Sequence, residues 1–252
     1  MSDLINLSAA VGATAKITQL FAQLELFSEG EPPAHTLFVQ GQPTLAEHNP
    51  LQPASEQLLL IDPPADVATR FRLPTETAVL FTGASTAVGV TQLQTQPGGV
   101  AHLRIGRHFL DLYSQVDSAV VYLPAVGIVC GGAFGSDALL PTVAVASTGA
   151  QELETLRLLA QLVKQRRFQL YIPRIGQLSS TPVEMMERLA ADVAYLHGIR
   201  RVVLPVAPQG EAFAQIEAVA GSLLPATRRS VACHAQHLIN LRRLYDAALP
   251  SN

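Results

Sequence analysis

The chain has 252 residues, 48% of them hydrophobic and only 15% charged, with a net charge of −3 and a pI near 6.1. A chain of this length buries about 70% of its unfolded surface, enough for one large core. Binding to a phosphate backbone needs a basic face, and no stretch concentrates cations beyond Lys164, Arg166 and Arg167, so nucleic acid is excluded as a partner.

The start, Met1-Ser2-Asp3-Leu4, lacks the basic residues of a secretory signal, and Lys16 interrupts the apolar stretch that follows. Residues 17–27 alternate approximately, and 36–40 is a short β-prone run. The runs 57–61 and 78–81 are nearly continuous in apolar residues, which predicts strands buried on both faces, with Pro63-Pro64 and Pro74 as punctuation between them. Further β runs follow at 88–93 and 100–105. The pair 119–123 and 127–130 is joined by Pro124-Ala125-Val126-Gly127, a hairpin-like turn.

Helices dominate the remainder. Thr148 and Gln151 form a capping-box pattern ahead of Leu153, Leu156, Leu159, Leu162 and Val163 at helical spacing. Residues 168–173 predict a strand. Thr181-Pro182-Val183-Glu184 combines a Thr cap, Pro at the first helical position and an acid at the third. The stripe Met186, Leu189, Val193, Leu196 then predicts a helix ending at Gly198. Two more helical faces carry Phe213, Ile216, Ala220, Leu223 and then Leu238, Leu241, Leu244, Tyr245. No repeat or linker divides the chain. No apolar window is long enough for a membrane helix, and Cys130 and Cys233 show no motif spacing. The expectation is a cytoplasmic protein with no membrane partner. So few charges cover a monomer poorly, so a homo-oligomer is expected.

Four segments have the character of strand-end loops: 78–89, 112–124, 127–135 and 170–176. Their order, and above all Val120-Val121-Tyr122-Leu123-Pro124-Ala125-Val126-Gly127-Ile128-Val129-Cys130-Gly131-Gly132, resembles the metallo-β-lactamase superfamily. There a strand, a hairpin and a second strand lead into a Thr-Gly-Asp turn. The resemblance spans roughly residues 17–200. It implies an α/β fold, a four-layer αββα sandwich with the site at one edge between the sheets. Residues 1–252 are then one such domain, with a helical C-terminal extension from about residue 206.

Carried over residue by residue, the family's H-x-H-x-D-H loop falls on Gly83, Ser85, Ala87 and Val88. Its next histidine falls on Ser114, its bridging aspartate on Gly132 and its last histidine on Ile175. A divalent metal needs imidazole, thiolate or carboxylate donors, usually three or more, and neutral serine hydroxyls are poor substitutes. The resemblance therefore implies a degenerate member with no metal, no cofactor and no catalytic residue at these positions. It would act by binding a small molecule or a protein partner. The segment 89–114 is shorter than the family's usual one, which leaves its alignment open.

Other clusters carry less. His102 and His108 flank a predicted strand end without a third donor. In Cys233-His234-x-x-His237, Cys233 and His237 share a helix face, but the stretch leads into an apolar helix, and His237-x-x-Asn240 is similar to a closing helix of some family members. Ser85, in Gly83-Ala84-Ser85-Thr86-Ala87, is half of a nucleophile elbow and lacks identified base and acid partners. Gly83 and Gly131-Gly132 have no lysine nearby to make a phosphate cradle. Arg174, in the fourth loop, is either a surface cation or an anchor for an anionic ligand. Ser85, Ser114 and Arg174 are the residues expected to edge a binding pocket. The competing expectation is a hydrolase with a relocated site that uses His102, His108, or the Cys233–His237 cluster, or Ser85 with an unrecognised base.

Overall fold

In the computed structural model the apolar run 57–61 is a strand with four of its five residues buried. The structure describes residues 15–41, 57–71, 73–74, 76–83, 91–92, 98–115, 118–209 and 213–249. One sheet holds β1 (Lys16–Phe21), β2 (Leu24–Glu29), β3 (Ala34–Gly41), β4 (Gln57–Ile61), β5 (Glu76–Leu80) and β6 (Thr91–Gln92), side by side in chain order. β1 to β4 pair antiparallel, and β5 and β6 continue parallel to β4. Along β4, Leu59 and Ile61 enter the core between the sheets, while Leu58 and Leu60 join Phe27, Phe38, Phe71 and Phe81 on the other face. That double burial is why no polar residue interrupts the run.

The alternation over 17–27 resolves into a hairpin rather than one run. The chain turns at Ala22 and Gln23, with Gln23 in the left-handed region at φ 66°. No Gly, Asn or Pro marks the turn, so the composition hides it.

The second sheet has the order β11-β10-β9-β8-β7. It consists of β7 (Val100–Ile105), β8 (His108–Ser114), β9 (Ala119–Leu123), β10 (Ile128–Cys130) and β11 (Leu170–Ile172). β7 to β10 form an antiparallel meander, and β11 lies parallel to β10. β8 is a strand that the sequence pattern does not reveal. Its inward positions are His108, Leu110, Leu112 and Ser114, so polar residues occupy both ends of the buried face.

The helices are α1 (Val67–Arg70), α2 (Ala150–Gln165), α3 (Pro182–Val203), α4 (Phe213–Ala220) and α5 (Val231–Ala248). α2 to α5 pack on the outer face of the second sheet, against Val120, Tyr122, Val129 and Tyr171. α1 and the phenylalanine cluster cover the outer face of the first. The four layers are thus unequal in depth. Among the described residues, no helix is long and apolar enough to cross a membrane.

Two helix ends differ from expectation. α2 begins at Gly149, with φ 80°, and not at a Thr148 cap. No side chain caps its first turn; Ser147 Oγ accepts from Gly149 N and donates to Glu152, which fixes the approach to the helix. α3 runs through Gly198 to Val203, because Ile199 and Val203 extend its buried stripe and Gly198 lets Leu223 pack against the helix. Its start is as the sequence predicts: Thr181 accepts from Glu184 N, with Pro182 in the first turn. Thr181→Ala is expected to cost about 1 kcal/mol, read as a lower urea midpoint at an unchanged slope.

Candidate functional site

The ends of β5, β8, β10 and β11 meet at one edge of the sandwich, where the backbone itself joins the two sheets. Gly83 bridges to Ser118 and Ala34 to Ile175, while Ala119 N donates to Thr82 O at 3.1 Å and His35 N to Arg174 O at 2.9 Å. Below this seam lies Asp62, buried and at φ 54°. It accepts from Thr82 N at 2.8 Å and from Thr82 Oγ1. Burial pushes its carboxyl above the usual aspartate range, against the hydrogen bonds from Thr82 and the charge of Arg174. Asp62 ends the continuous apolar run of β4, and an acid at the end of a doubly buried strand is the sequence signal for such a post.

Beside the seam is a cavity of about 330 Å³. Thr82 and Gly83, Gln115 and Ser118, Phe134, and Arg174 and Ile175 supply its strand-end wall, and α2 and α5 the opposite one, through Glu152, Thr155, Ile239 and Arg243. The segment 139–144 between them is pinned by three side chains. Asn240 accepts from Val143 N at 3.0 Å and donates to Pro141 O at 2.8 Å. Arg243 donates to Val143 O at 2.5 Å, and Glu152 accepts from Ala144 N at 2.6 Å. Asn240 thus clamps the segment that walls the cavity.

Of the residues expected at the pocket edge, Arg174 lines the cavity. Ser114 is buried at the end of β8, where its backbone pairs with Gly98 and Gly99 and its neighbour Gln115 faces the cavity. Ser85, with Ala87 and Val88, lies outside the described residues. Glu152 and Arg243 belong to the cavity but are not visible as site residues in the sequence. They come from helices distant along the chain, and in each helix they read as ordinary turns of an amphipathic stripe.

The positions where the resemblance puts metal ligands do not fit a divalent ion. Gly83 and Gly132 offer no side chain, Ile175 no donor, and Ser114 a neutral hydroxyl. Gly132, at φ 65°, lies so near Thr82 that an added Cβ would stand 2.8 Å from Thr82 Oγ1. Among the described residues no group of three or more His, Cys, Asp or Glu side chains is placed to hold a metal.

The alternative donors also stay apart. His102 is exposed and pairs with Asp111 at 2.8 Å on β7 and β8. His108 meets Ala22 O at 3.1 Å, and burial holds its imidazole below the usual range. Cys233 Sγ donates to Ala138 O at 3.1 Å, and His237 Nδ1 meets Tyr195 OH at 3.0 Å inside the helical layer.

No family model matches the chain, and no curated protein matches it in sequence. Solved structures do match. Pisa1, an inverting sec-alkylsulfatase from Pseudomonas sp., superposes with a TM-score of 0.57 at 11% identity, covering 92% of this chain and 50% of that one. A β-lactamase domain protein from Burkholderia ambifaria superposes with a TM-score of 0.55 at 10% identity, over 96% of this chain and 90% of its own length. The chain has the metallo-β-lactamase fold. It spans about half the length of the alkylsulfatase. Two residues of the cavity lining, Gly83 and Ile175, stand at positions where the sequence resemblance puts ligands.

Proposed function

We propose that this metallo-β-lactamase-fold chain binds a small molecule in the strand-end cavity and works without a catalytic metal. The observation that carries this reading is the preformed cavity itself, at the low end of the volumes of small-molecule sites, with its 139–144 wall fixed by Asn240, Arg243 and Glu152. In metal-dependent hydrolysis the ion lowers the pKa of bound water to about 7 and so supplies hydroxide. Here Gly83, Ser114, Gly132 and Ile175 provide no ligand set to hold such an ion. A relocated hydrolytic centre built on His102, His108 or the Cys233–His237 pair is disfavoured, since each serves a separate local contact; the version built on Ser85 falls outside the described residues.

Elemental analysis of the purified, metal-supplemented protein tests the metal half of this reading. The expected result is no stoichiometric zinc, iron or manganese, and a stoichiometric metal that survives dialysis would overturn it. The cavity half is tested by backbone resonance shifts around Gln115 and Ile239 on titration with small molecules, as below.

A further inference from the structure

Resting on that reading of the cavity, we infer that its ligand is a small organic monoanion whose oxyanion head pairs with Arg174 and whose apolar body lies along Ile175 and Ile239. Arg70 is forked onto Glu29, Arg188 pairs with Glu184, and Arg228 pairs with Asp192. The Arg174 side chain, half-buried in the cavity wall, makes no hydrogen bond or ion pair among the described residues. A guanidinium carries five donors in a rigid plane, and those of Arg174, in the lining of the cavity, are open to an oxyanion acceptor.

Its position is fixed rather than incidental. Arg174 N donates to Gly132 O at 2.8 Å, and its carbonyl accepts from His35 N. Its guanidinium lies beside Gly83, where a Cβ would stand 3.7 Å from Nη1, in ordinary van der Waals contact. The nearby carboxyl, Asp62, lies buried beneath the seam with both oxygens taken by Thr82, so it attracts Arg174 at a distance without pairing to it.

The rest of the lining sets the sign and size of the ligand. Arg243 is a second cation on the opposite wall, with one nitrogen used on Val143 O. Glu152 is the acid in the lining, and its two oxygens are held by Ala144 N and Ser147 Oγ. In the lining itself two guanidiniums stand against one carboxylate, which favours an anion over a cation. An oxyanion can accept a forked pair of hydrogen bonds from Arg174, and the volume suits a metabolite-sized body.

The test titrates the full-length protein with hexanoate, hexanamide and hexylammonium, three probes of nearly equal shape and different charge, by calorimetry and backbone resonance shifts. Hexanoate is expected to bind at least about ten-fold more tightly than hexanamide, and hexylammonium to give no saturation. Arg174→Gln is expected to bring hexanoate down to the hexanamide level, with the resonances around Gln115 and Ile239 of the free variant showing that the cavity survives. Hexanamide binding as tightly as hexanoate to the unaltered protein, or hexanoate binding unchanged in Arg174→Gln, would overturn the anion inference and leave the cavity reading standing. If none of the probes shifts the resonances around Gln115 and Ile239, both readings fall. The comparison of probes on the unaltered protein decides the matter even if the variant does not fold.

Discussion

Arg228→Met is expected to lower stability by about 3–5 kcal/mol at neutral pH, and by much less in acid. Asp192, on α3, is wholly buried, and Arg228, ahead of α5, is nearly so. One Asp192 oxygen pairs with Arg228 and the other accepts from Gly135 N at 2.6 Å. Arg228 also donates to Leu139 O at 3.1 Å. The pair therefore ties two helical elements to the loop after β10, whose Phe134 and Leu139 line the cavity. Removing the cation leaves a buried carboxylate with one hydrogen bond, the costly case for a buried ion pair.

The pH dependence follows from the direction of the Asp192 shift. Burial pushes its carboxyl up to about 6, with the Arg228 charge and hydrogen bond and the Gly135 amide pulling the other way. An acid whose folded pKa lies above its unfolded value keeps its proton longer when folded. The folded state then binds more protons over the window from about 4 to about 6, and this group lowers stability as pH rises through it. Without Arg228 the folded pKa moves higher still, so the window extends upward. The difference between parent and variant should be smallest below about pH 4, where Asp192 is protonated in both states, and grow toward pH 7 and beyond. Urea unfolding at a series of pH values measures it. A difference independent of pH would show that the lost packing of the Arg228 stem, and not the stranded charge, sets the cost.

This pair also shows where sequence reading stops. The stripe through α3 is legible because Leu189 and Leu196 recur at helical spacing. Asp192 sits on the same buried face, and only a partner from beyond α4 makes that position tolerable for an acid. Likewise β4 and β7 are legible to the residue, since a continuous apolar run and clear turn residues bound them, whereas β8 is not, because His108 and Ser114 hold inward positions. Of the site, the strand-end loops and Arg174 can be found from local pattern and resemblance. Glu152, Asn240 and Arg243 cannot, because their roles arise from α2 and α5 closing on the segment 139–144, and convergence of that kind leaves no local spacing to read.

Gly132→Asp places a carboxylate where the resemblance puts a bridging aspartate, and it is expected to cost about 2–4 kcal/mol without creating a metal site. Gly132 sits at φ 65°. Aspartate tolerates the left-handed region better than most residues, so strain is the smaller part of the cost. The larger part is steric. A Cβ would stand 2.8 Å from Thr82 Oγ1 and 3.0 Å from Thr82 O, and overpacking of this kind costs about 1–3 kcal/mol. Thr82 has nowhere to move: its N and Oγ1 are both committed to Asp62, and its carbonyl accepts from Ala119 N. Gly132→Ala should therefore lose nearly as much stability as Gly132→Asp, which separates crowding from charge. Zinc titration of Gly132→Asp by calorimetry is expected to show no binding. A variant as stable as its parent that takes up stoichiometric zinc would show the ligand cage intact apart from its side chains. The geometry argues otherwise. The Gly131-Gly132 turn has closed onto the Thr82–Asp62 post, so the absence of a ligand at this position and the packing of the loop are one feature. A single substitution cannot restore the side chain without displacing the wall of the cavity.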